Sequence, residues 1–253
     1  MELNGKTVLI TGASSGIGRE LAIQLARKGC RLILIARRYE LLKTLLQQLM
    51  PHPAGHLCLP CDVSEQNQVA LICEQILKEK TTPDVLILNA GIGEKFAVHD
   101  IDVAGMHRVF ATNFFSVVWF VKFLLPDMLA RNQGIIAATG SLSGYRGMPK
   151  AASYSAGKAA LMRFIESLQI DLYGTGVRAI LISPGFVKTP MTDQNDFRMP
   201  FMISAERAAR IIIRGLEKEK SEIHFPLRLS ILAKLSRSIP HRCYAFLMHR
   251  ARK

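Results

Sequence analysis

The stretch Thr11-Gly12-Ala13-Ser14-Ser15-Gly16-Ile17-Gly18 restricts the possible folds more than any other part of this chain. It follows a short run, Thr7-Val8-Leu9-Ile10, that reads as a buried strand. It precedes Arg19 to Lys28, whose apolar residues recur at helical spacing. Three glycines on a strand-to-helix turn let the backbone bend tightly and approach a ligand closely. The free N–H groups at the helix start, with the positive end of its dipole, then favour a pyrophosphate. The spacing is Gly-x3-Gly-x-Gly, which departs from the usual dinucleotide fingerprint and by itself also fits an ordinary glycine-rich turn.

The rest of the chain decides between the two. Strand signals at 6–10, 31–35, 56–60, 84–88, 134–138, 177–182 and 221–225 alternate with helical patterns at 16–28, 38–50, 65–80, 101–131, 152–173 and 204–219, with a break expected near Gly105. Continuous apolar strands such as Leu32-Ile33-Leu34-Ile35 imply a parallel sheet covered on both faces. Right-handed crossovers then give an α/β, doubly wound Rossmann fold of about seven parallel strands with helices on both faces, whose ligands bind beyond the carboxyl ends of the strands. The length of 253 residues suits one such domain, over 1–226, followed by an extension over 227–253. Residues 186–203 are rich in Met and Phe and weakly periodic, and read as a substrate lid.

The N-terminus runs into the first strand without a signal-peptide pattern, and the longest apolar stretch, Phe114 to Leu125, is interrupted by Lys122 and short for a bilayer. Five cysteines, an odd number, suggest a reducing compartment, so the expected location is cytoplasmic. Cys58 and Cys61 form a C-x-x-C without a second ligand pair and read as buried thiols, so no metal is expected.

The net charge of +13 is uneven: seven basic residues (Arg228, Lys234, Arg237, Arg242, Arg250, Arg252, Lys253) and no acidic one fall in 227–253. There Leu227, Ile231, Leu232, Leu235 and Ile239 cluster on one side of a helical wheel, Lys234 and Arg237 lie opposite, and Arg228 intrudes. Such a basic amphipathic extension suits peripheral contact with a membrane surface, or packing on the cleft or on a neighbouring subunit. No recognition motif accompanies these charges, so nucleic acid is not an expected partner.

The strand ends carry the chemistry. The second ends at Ala36-Arg37-Arg38, where a carboxylate would bond a ribose 2′-hydroxyl; two guanidinium groups suit a 2′-phosphate instead and favour NADP. The third ends at Cys61-Asp62-Val63, and Asp62 either caps the next helix or bonds an adenine amino group. The fourth ends at Asn89-Ala90-Gly91, small residues against which a flat ring can lie. In Tyr154-Ser155-Ala156-Gly157-Lys158, Tyr and Lys four apart share one helix face. A nearby ammonium moves a phenol's pKa toward the working range of an acid–base catalyst. Ser141 adds a hydroxyl donor, and Asn113 sits in an apolar helical segment where asparagine is unfavourable without a task.

With these pieces in order, the chain resembles the short-chain dehydrogenase/reductase family. The match is carried by Thr11-Gly12-x3-Gly16-x-Gly18, Asp62, Asn89-Ala90-Gly91, Asn113, Ser141, Tyr154-x3-Lys158 and Pro184-Gly185 with Thr189, over residues 5 to about 225. Gly140 stands where many relatives carry a second serine. The resemblance implies that Tyr154 is the general acid/base, that Lys158 lowers its pKa and holds the nicotinamide ribose, that Ser141 polarises the substrate oxygen, and that Asn113 anchors a water relay toward Lys158. It implies that Gly12, Ser14, Ser15, Gly16, Ile17, Gly18, Arg37, Arg38, Asp62, Val63, Asn89, Ala90, Gly91, Tyr154, Lys158, Pro184, Gly185, Val187 and Thr189 bind NADP(H).

The expected activity is therefore NADPH-dependent interconversion of a hydrophobic ketone or aldehyde with its alcohol. Leu142, Tyr145, Met148, Met191, Phe197, Met199, Phe201 and Met202 are the expected apolar cleft for a small substrate. Two other readings stand beside it: a 3-oxoacyl thioester reductase whose basic surface meets an acidic carrier protein, and a membrane-associated cofactor-binding scaffold without turnover. Relatives commonly dimerise or tetramerise through the helices matching 107–131 and 152–173, which the apolar face around Phe114, Val118 and Trp119 suits.

Overall fold

The computed structural model describes residues 1–94 and 96–251, so Arg252 and Lys253 of the basic extension lie outside the described residues. Among the described residues, seven strands form one parallel sheet: β1 (Thr7–Thr11), β2 (Arg31–Ala36), β3 (Leu57–Pro60), β4 (Val85–Leu88), β5 (Gly134–Thr139), β6 (Val177–Pro184) and, after a short pair β7 (Val187–Lys188) and β8 (Ile203–Ser204), β9 (Glu222–Phe225). The order across the sheet is β3-β2-β1-β4-β5-β6-β9, with Val8 beside Leu32 on one flank and Val85 on the other. The order reverses at β1 and β4, so a crevice opens past their carboxyl ends; this is the doubly wound Rossmann arrangement.

The continuous apolar strands divide their side chains between two cores. Val8, Ile10, Leu32, Leu34 and Ile87 meet one layer made by α1 (Gly16–Arg27), α2 (Tyr39–Leu46) and α7 (Ala205–Glu217), through Leu21, Leu25, Leu42 and Ile212. Leu9, Ile33, Ile35, Leu86 and Ile136 meet the other, made by α3 (Gln66–Lys78), α5 (Ser116–Ala130) and α6 (Ala152–Asp171), through Cys73, Phe120, Leu124 and Ile165. Alternate residues of a strand point to opposite faces, so burial on both sides demands an unbroken apolar run.

Two elements differ from expectation. Helix α2 stops at Leu46 rather than reaching residue 50. The expected helix over 101–131 becomes α4 (Val103–Phe110), a π-helical turn (Ala111–Phe115) and α5, so the irregularity falls at Asn113 rather than at Gly105. Gly105 instead sits in the first turn of α4, where its N–H donates to the Asp102 cap at 2.8 Å. The stretch Val103–Ala130 is long and apolar enough to cross a membrane by length and composition, yet Val117, Phe120, Val121, Leu124 and Met128 are buried against the sheet. The extension folds as α8 (Leu227–Leu235), a 3-10 turn (Ser236–Ser238) and α9 (His241–Ala251). In α8 the buried residue is Ser230, while Leu227, Ile231, Leu232 and Leu235 are exposed. The apolar side of the wheel thus faces away from the body.

Candidate active site

Thr11 closes β1 and ties it to the end of β4: its Oγ1 accepts from the N–H of Asn89 at 2.9 Å and of Ala90 at 3.0 Å. Asn89 Nδ2 donates back to the Thr11 carbonyl at 3.2 Å. This clamp brings the glycine turn against Asn89-Ala90-Gly91. A Cβ on Gly12 would sit 2.9 Å from the Ala90 Cα, and one on Gly18 would lie on the Gly12 carbonyl oxygen and 2.8 Å from Asn89 Nδ2. The cradle is therefore closed to any side chain, and Gly12, at φ +68°, also occupies the left-handed region. The Ser15 side chain does not cap α1, and its first turn carries no acidic residue, which leaves the helix start suited to an anion. Ile17 packs partly into the core, and the Thr189 methyl reaches within 3.0 Å of a Cβ built on Gly16. These residues fit a dinucleotide.

Arg38 Nη2 donates to Ser14 Oγ at 3.0 Å and Ser15 Oγ at 2.9 Å, so a guanidinium, two hydroxyls and the helix start share one corner. Arg37 pairs with Asp62 Oδ2 at 3.4 Å. The other Asp62 oxygen accepts from Ser64 N at 3.0 Å and Ser64 Oγ at 2.7 Å. Partial burial works to raise the Asp62 pKa, but the Ser64 hydrogen bonds and the Arg37 charge outweigh it and hold the carboxyl below its usual range. Asp62 makes a local turn rather than the cap of α3, whose cap position is Glu65. Cys61 is buried, and its thiol is pushed up to about 11, chiefly by desolvation.

On the other flank, Asn113 is fully buried in the π-helical turn; its Oδ1 accepts from Ile92 N at 2.8 Å and its Nδ2 donates to Ile92 O at 2.9 Å. The wider turn aims this side chain at the loop after β4. A Cβ on Gly91 would meet Asn113 Oδ1 at 3.2 Å and Lys158 Nζ at 3.5 Å, so the three residues converge. Lys158 is buried and donates to the Thr139 carbonyl, at the end of β5, at 2.6 Å. Burial lowers its pKa to about 8.

Tyr154 stands one turn before Lys158, and Nζ lies 5.8 Å from the centre of its ring. The expected downward pull on the phenol is not the dominant effect: burial pushes Tyr154 up, and a hydrogen bond with Ser141 offsets part of the rise. Lys158 has turned its ammonium to Thr139, which explains the difference. Ser141, buried after β5, accepts from Ser143 N at 3.1 Å and opens a short 3-10 turn, Leu142–Gly144.

Pro184 ends β6, and Gly185 N donates to Phe225 O at 2.7 Å. Val63 and Val187 have their side chains in the two cores. Residues 186–203 are pinned by β7 against β8 and by Thr192 Oγ1, which donates to Val187 O at 2.7 Å; Met191, Phe197, Phe201 and Met202 stay exposed. Thr11, Thr139 and Ile92 were not singled out as site residues in the sequence. The signal for Thr11 was a hydroxyl at the end of a buried strand; Thr139 and Ile92 act through backbone carbonyls and an N–H, which leave no residue-type signal. Tyr145, expected in the cleft, instead donates its hydroxyl to Glu222.

The comparisons agree with this fold. The short chain dehydrogenase family matches residues 6–198. The chain is 33% identical over 240 residues to an uncharacterised oxidoreductase of Myxococcus xanthus, covering 95% of each. It is 29% identical over 245 residues to an 11-beta-hydroxysteroid dehydrogenase of Pinus massoniana, covering 89% of this chain and 68% of that one. Among solved structures, a short chain dehydrogenase/reductase of Burkholderia phymatum in complex with NAD superposes with a TM-score of 0.83 at 25% identity, covering 93% of this chain and 94% of that one.

Proposed function

This chain belongs to the short-chain dehydrogenase/reductase family of oxidoreductases, which bind a nicotinamide cofactor, and from that premise we propose that it is an NADPH-dependent reductase, reversibly a dehydrogenase, of hydrophobic ketones, aldehydes and secondary alcohols. The observation that carries the proposal is the convergence of Asn113, Lys158 and Gly91 beside the Ser141–Tyr154 pair, at the carboxyl ends of β4 and β5.

When bound, the cofactor supplies or accepts the hydride. Ser141 donates a hydrogen bond to the substrate oxygen and fixes its position. Tyr154 gives its phenolic proton to that oxygen in reduction and takes it back in oxidation. The Lys158 ammonium stabilises the phenolate left behind, and Asn113 holds the loop over which a proton returns toward Lys158. Because Lys158 loses its proton near pH 8, reductive turnover falls above that value.

The choice of NADPH is supported by Ala36 standing where a carboxylate would repel a 2′-phosphate, and by Arg38 held on Ser14 and Ser15. The apolar residues of 186–203 support a lipophilic substrate. The partly exposed Phe114, Val118 and Trp119 support a homodimer or homotetramer.

A second reading concerns location. The outward face of α8 and α9 exposes Leu227, Ile231, Leu232, Leu235, Phe246 and Leu247 beside Arg228, Arg242 and Arg250, with no acidic residue among them. That combination supports peripheral binding to an anionic lipid surface.

The deciding experiment is a screen of NADPH and NADH against lipophilic carbonyls. Tyr154→Phe should remove turnover yet still bind NADPH, and Arg38→Ala should weaken NADPH about tenfold or more while leaving NADH alone. Turnover retained by Tyr154→Phe overturns the chemistry, and equal losses for both cofactors overturn the preference.

A further inference from the structure

The loop that joins Ser141 to Tyr154 is bound to the end of the chain by its two central residues. The Tyr145 hydroxyl donates to Glu222 Oε1 in β9, and Lys234 of α8 donates to the other oxygen of the same carboxylate at 2.6 Å. Burial alone would raise the Glu222 pKa, yet Lys234 and Tyr145 hold it down, so the carboxylate stays charged between them. Arg146 Nη1 donates to the carbonyls of Arg237 at 3.3 Å and Ile239 at 3.2 Å, where the 3-10 turn ends. A cation suits this place, because the last carbonyls of a helical turn lack partners within it. The guanidinium also lies 4.2 Å from the centre of the Tyr244 ring. The Tyr244 hydroxyl donates back to Gly147 O, in the same loop, at 2.9 Å. Nearer the cofactor end, a Cβ on Gly185 would meet Leu229 of α8 at 2.8 Å and Leu142 of the loop at 3.2 Å, which places both leucines over that glycine.

We infer that Tyr145 and Arg146 are positioning residues that clasp the C-terminal segment to the substrate loop, so that residues 222–244 set the geometry of the substrate side of the site. The loop reaches out with a phenol and a guanidinium, and the far segment answers with a carboxylate, two carbonyls and an aromatic face. The same loop carries Ser141 at one end and leads into Tyr154 at the other. A shift of the clasp is therefore a shift of both hydroxyls, while the glycine cradle between β1 and β4 makes no contact with it through these bonds. The inference rests on the proposed reaction only for its kinetic readout.

The test uses the full chain and two measurements: KM and kcat for acetophenone with NADPH, and hydrogen exchange over residues 142–148. Arg146→Ala and Tyr244→Ala should each raise KM about tenfold and speed exchange in 142–148, with the NADPH Kd unchanged. The double variant should lose less than the two single losses combined, since the guanidinium–ring contact is common to both. Arg146→Lys should recover only part of the loss, because a point charge does not reach two carbonyls and stack on a ring together. Tyr244→Phe, which keeps the ring under Arg146, should fall between the parent and Tyr244→Ala. Additive losses in the double variant, or unchanged exchange over 142–148 in Tyr244→Ala, would overturn the clasp. If the parent protein turns over no ketone, the proposed reaction fails, and exchange alone decides the clasp.

Discussion

The glycine cradle and the C-terminal helices treat the same kinds of residue in opposite ways. In the cradle half, every apolar residue of β1 and β2 from Val8 to Ile10 and Leu32 to Ala36 is buried, and polar groups are confined to the strand ends. In α8, Leu227, Ile231, Leu232 and Leu235 face solvent, while the inward side carries Leu229, the buried Ser230 and the charged Lys234, which donates to Glu222. The difference teaches that a helix is oriented by what its neighbour needs. The sheet needs hydrocarbon on both faces; the substrate loop and β9 need partners for a phenol, a guanidinium and a carboxylate.

The contrast breaks most sharply at Gly18. Gly18→Ala places a methyl on the Gly12 carbonyl, and the Asn89 side-chain amide, held on the Thr11 carbonyl, closes the other side. The expected result is a loss of about 3 kcal/mol in urea unfolding and of measurable dinucleotide binding by calorimetry. A stable, fully binding variant would show that the cradle is looser than its contacts indicate.

Next in size is Lys158, a charge buried in the apolar half. The unfolded chain keeps its proton to the usual 10.5, whereas the native site releases it at about 8. The native state thus carries the full penalty below about 8, and stability rises with pH between the two values. Lys158→Met should gain about 2 kcal/mol at pH 7, after roughly 1 kcal/mol is lost with the Thr139 hydrogen bond, and the gain should vanish above the unfolded pKa. The same variant should lose turnover. Urea titrations at several pH values check the first expectation and acetophenone assays the second.

The smallest effect, at Leu232, sharpens the comparison. Leu34→Ala in β2 should cost about 3 kcal/mol, whereas Leu232→Ala in α8 should stay within about 0.5 kcal/mol. Leu232→Glu should likewise leave stability alone but reduce co-sedimentation with vesicles containing phosphatidylserine. Equal sedimentation of parent and variant would remove the membrane reading and leave the enzyme assignment untouched.

How far the sequence could be read follows from the same physics. The seven parallel strands, the two covered faces and the glycine turn after β1 were legible, because burial on two faces forces an apolar run and a tight turn forces glycine, whereas the strand order and the approach of Gly12 and Gly18 to Asn89 came from the tertiary structure. Asn113 announced itself as a misfit in an apolar helix, but the π-helical turn that aims it at Ile92 did not, since that turn depends on backbone bonds rather than on residue type. The sequence groups Leu227, Ile231, Leu232 and Leu235 on one side of a helical wheel, and which way that side faces was not readable at all.

What the sequence determined alone was periodicity and chemistry: which residues alternate, where glycine is compulsory, and which hydroxyls, amines and guanidinium groups stand at the strand ends. The tertiary structure decided which way each was turned. It directed Lys158 to Thr139, Tyr145 to Glu222 and Arg146 to the carbonyls of Arg237 and Ile239. Local pattern follows from each residue's neighbours along the chain, but direction is set by partners up to about ninety positions away, and no window of sequence contains both sides of such a contact.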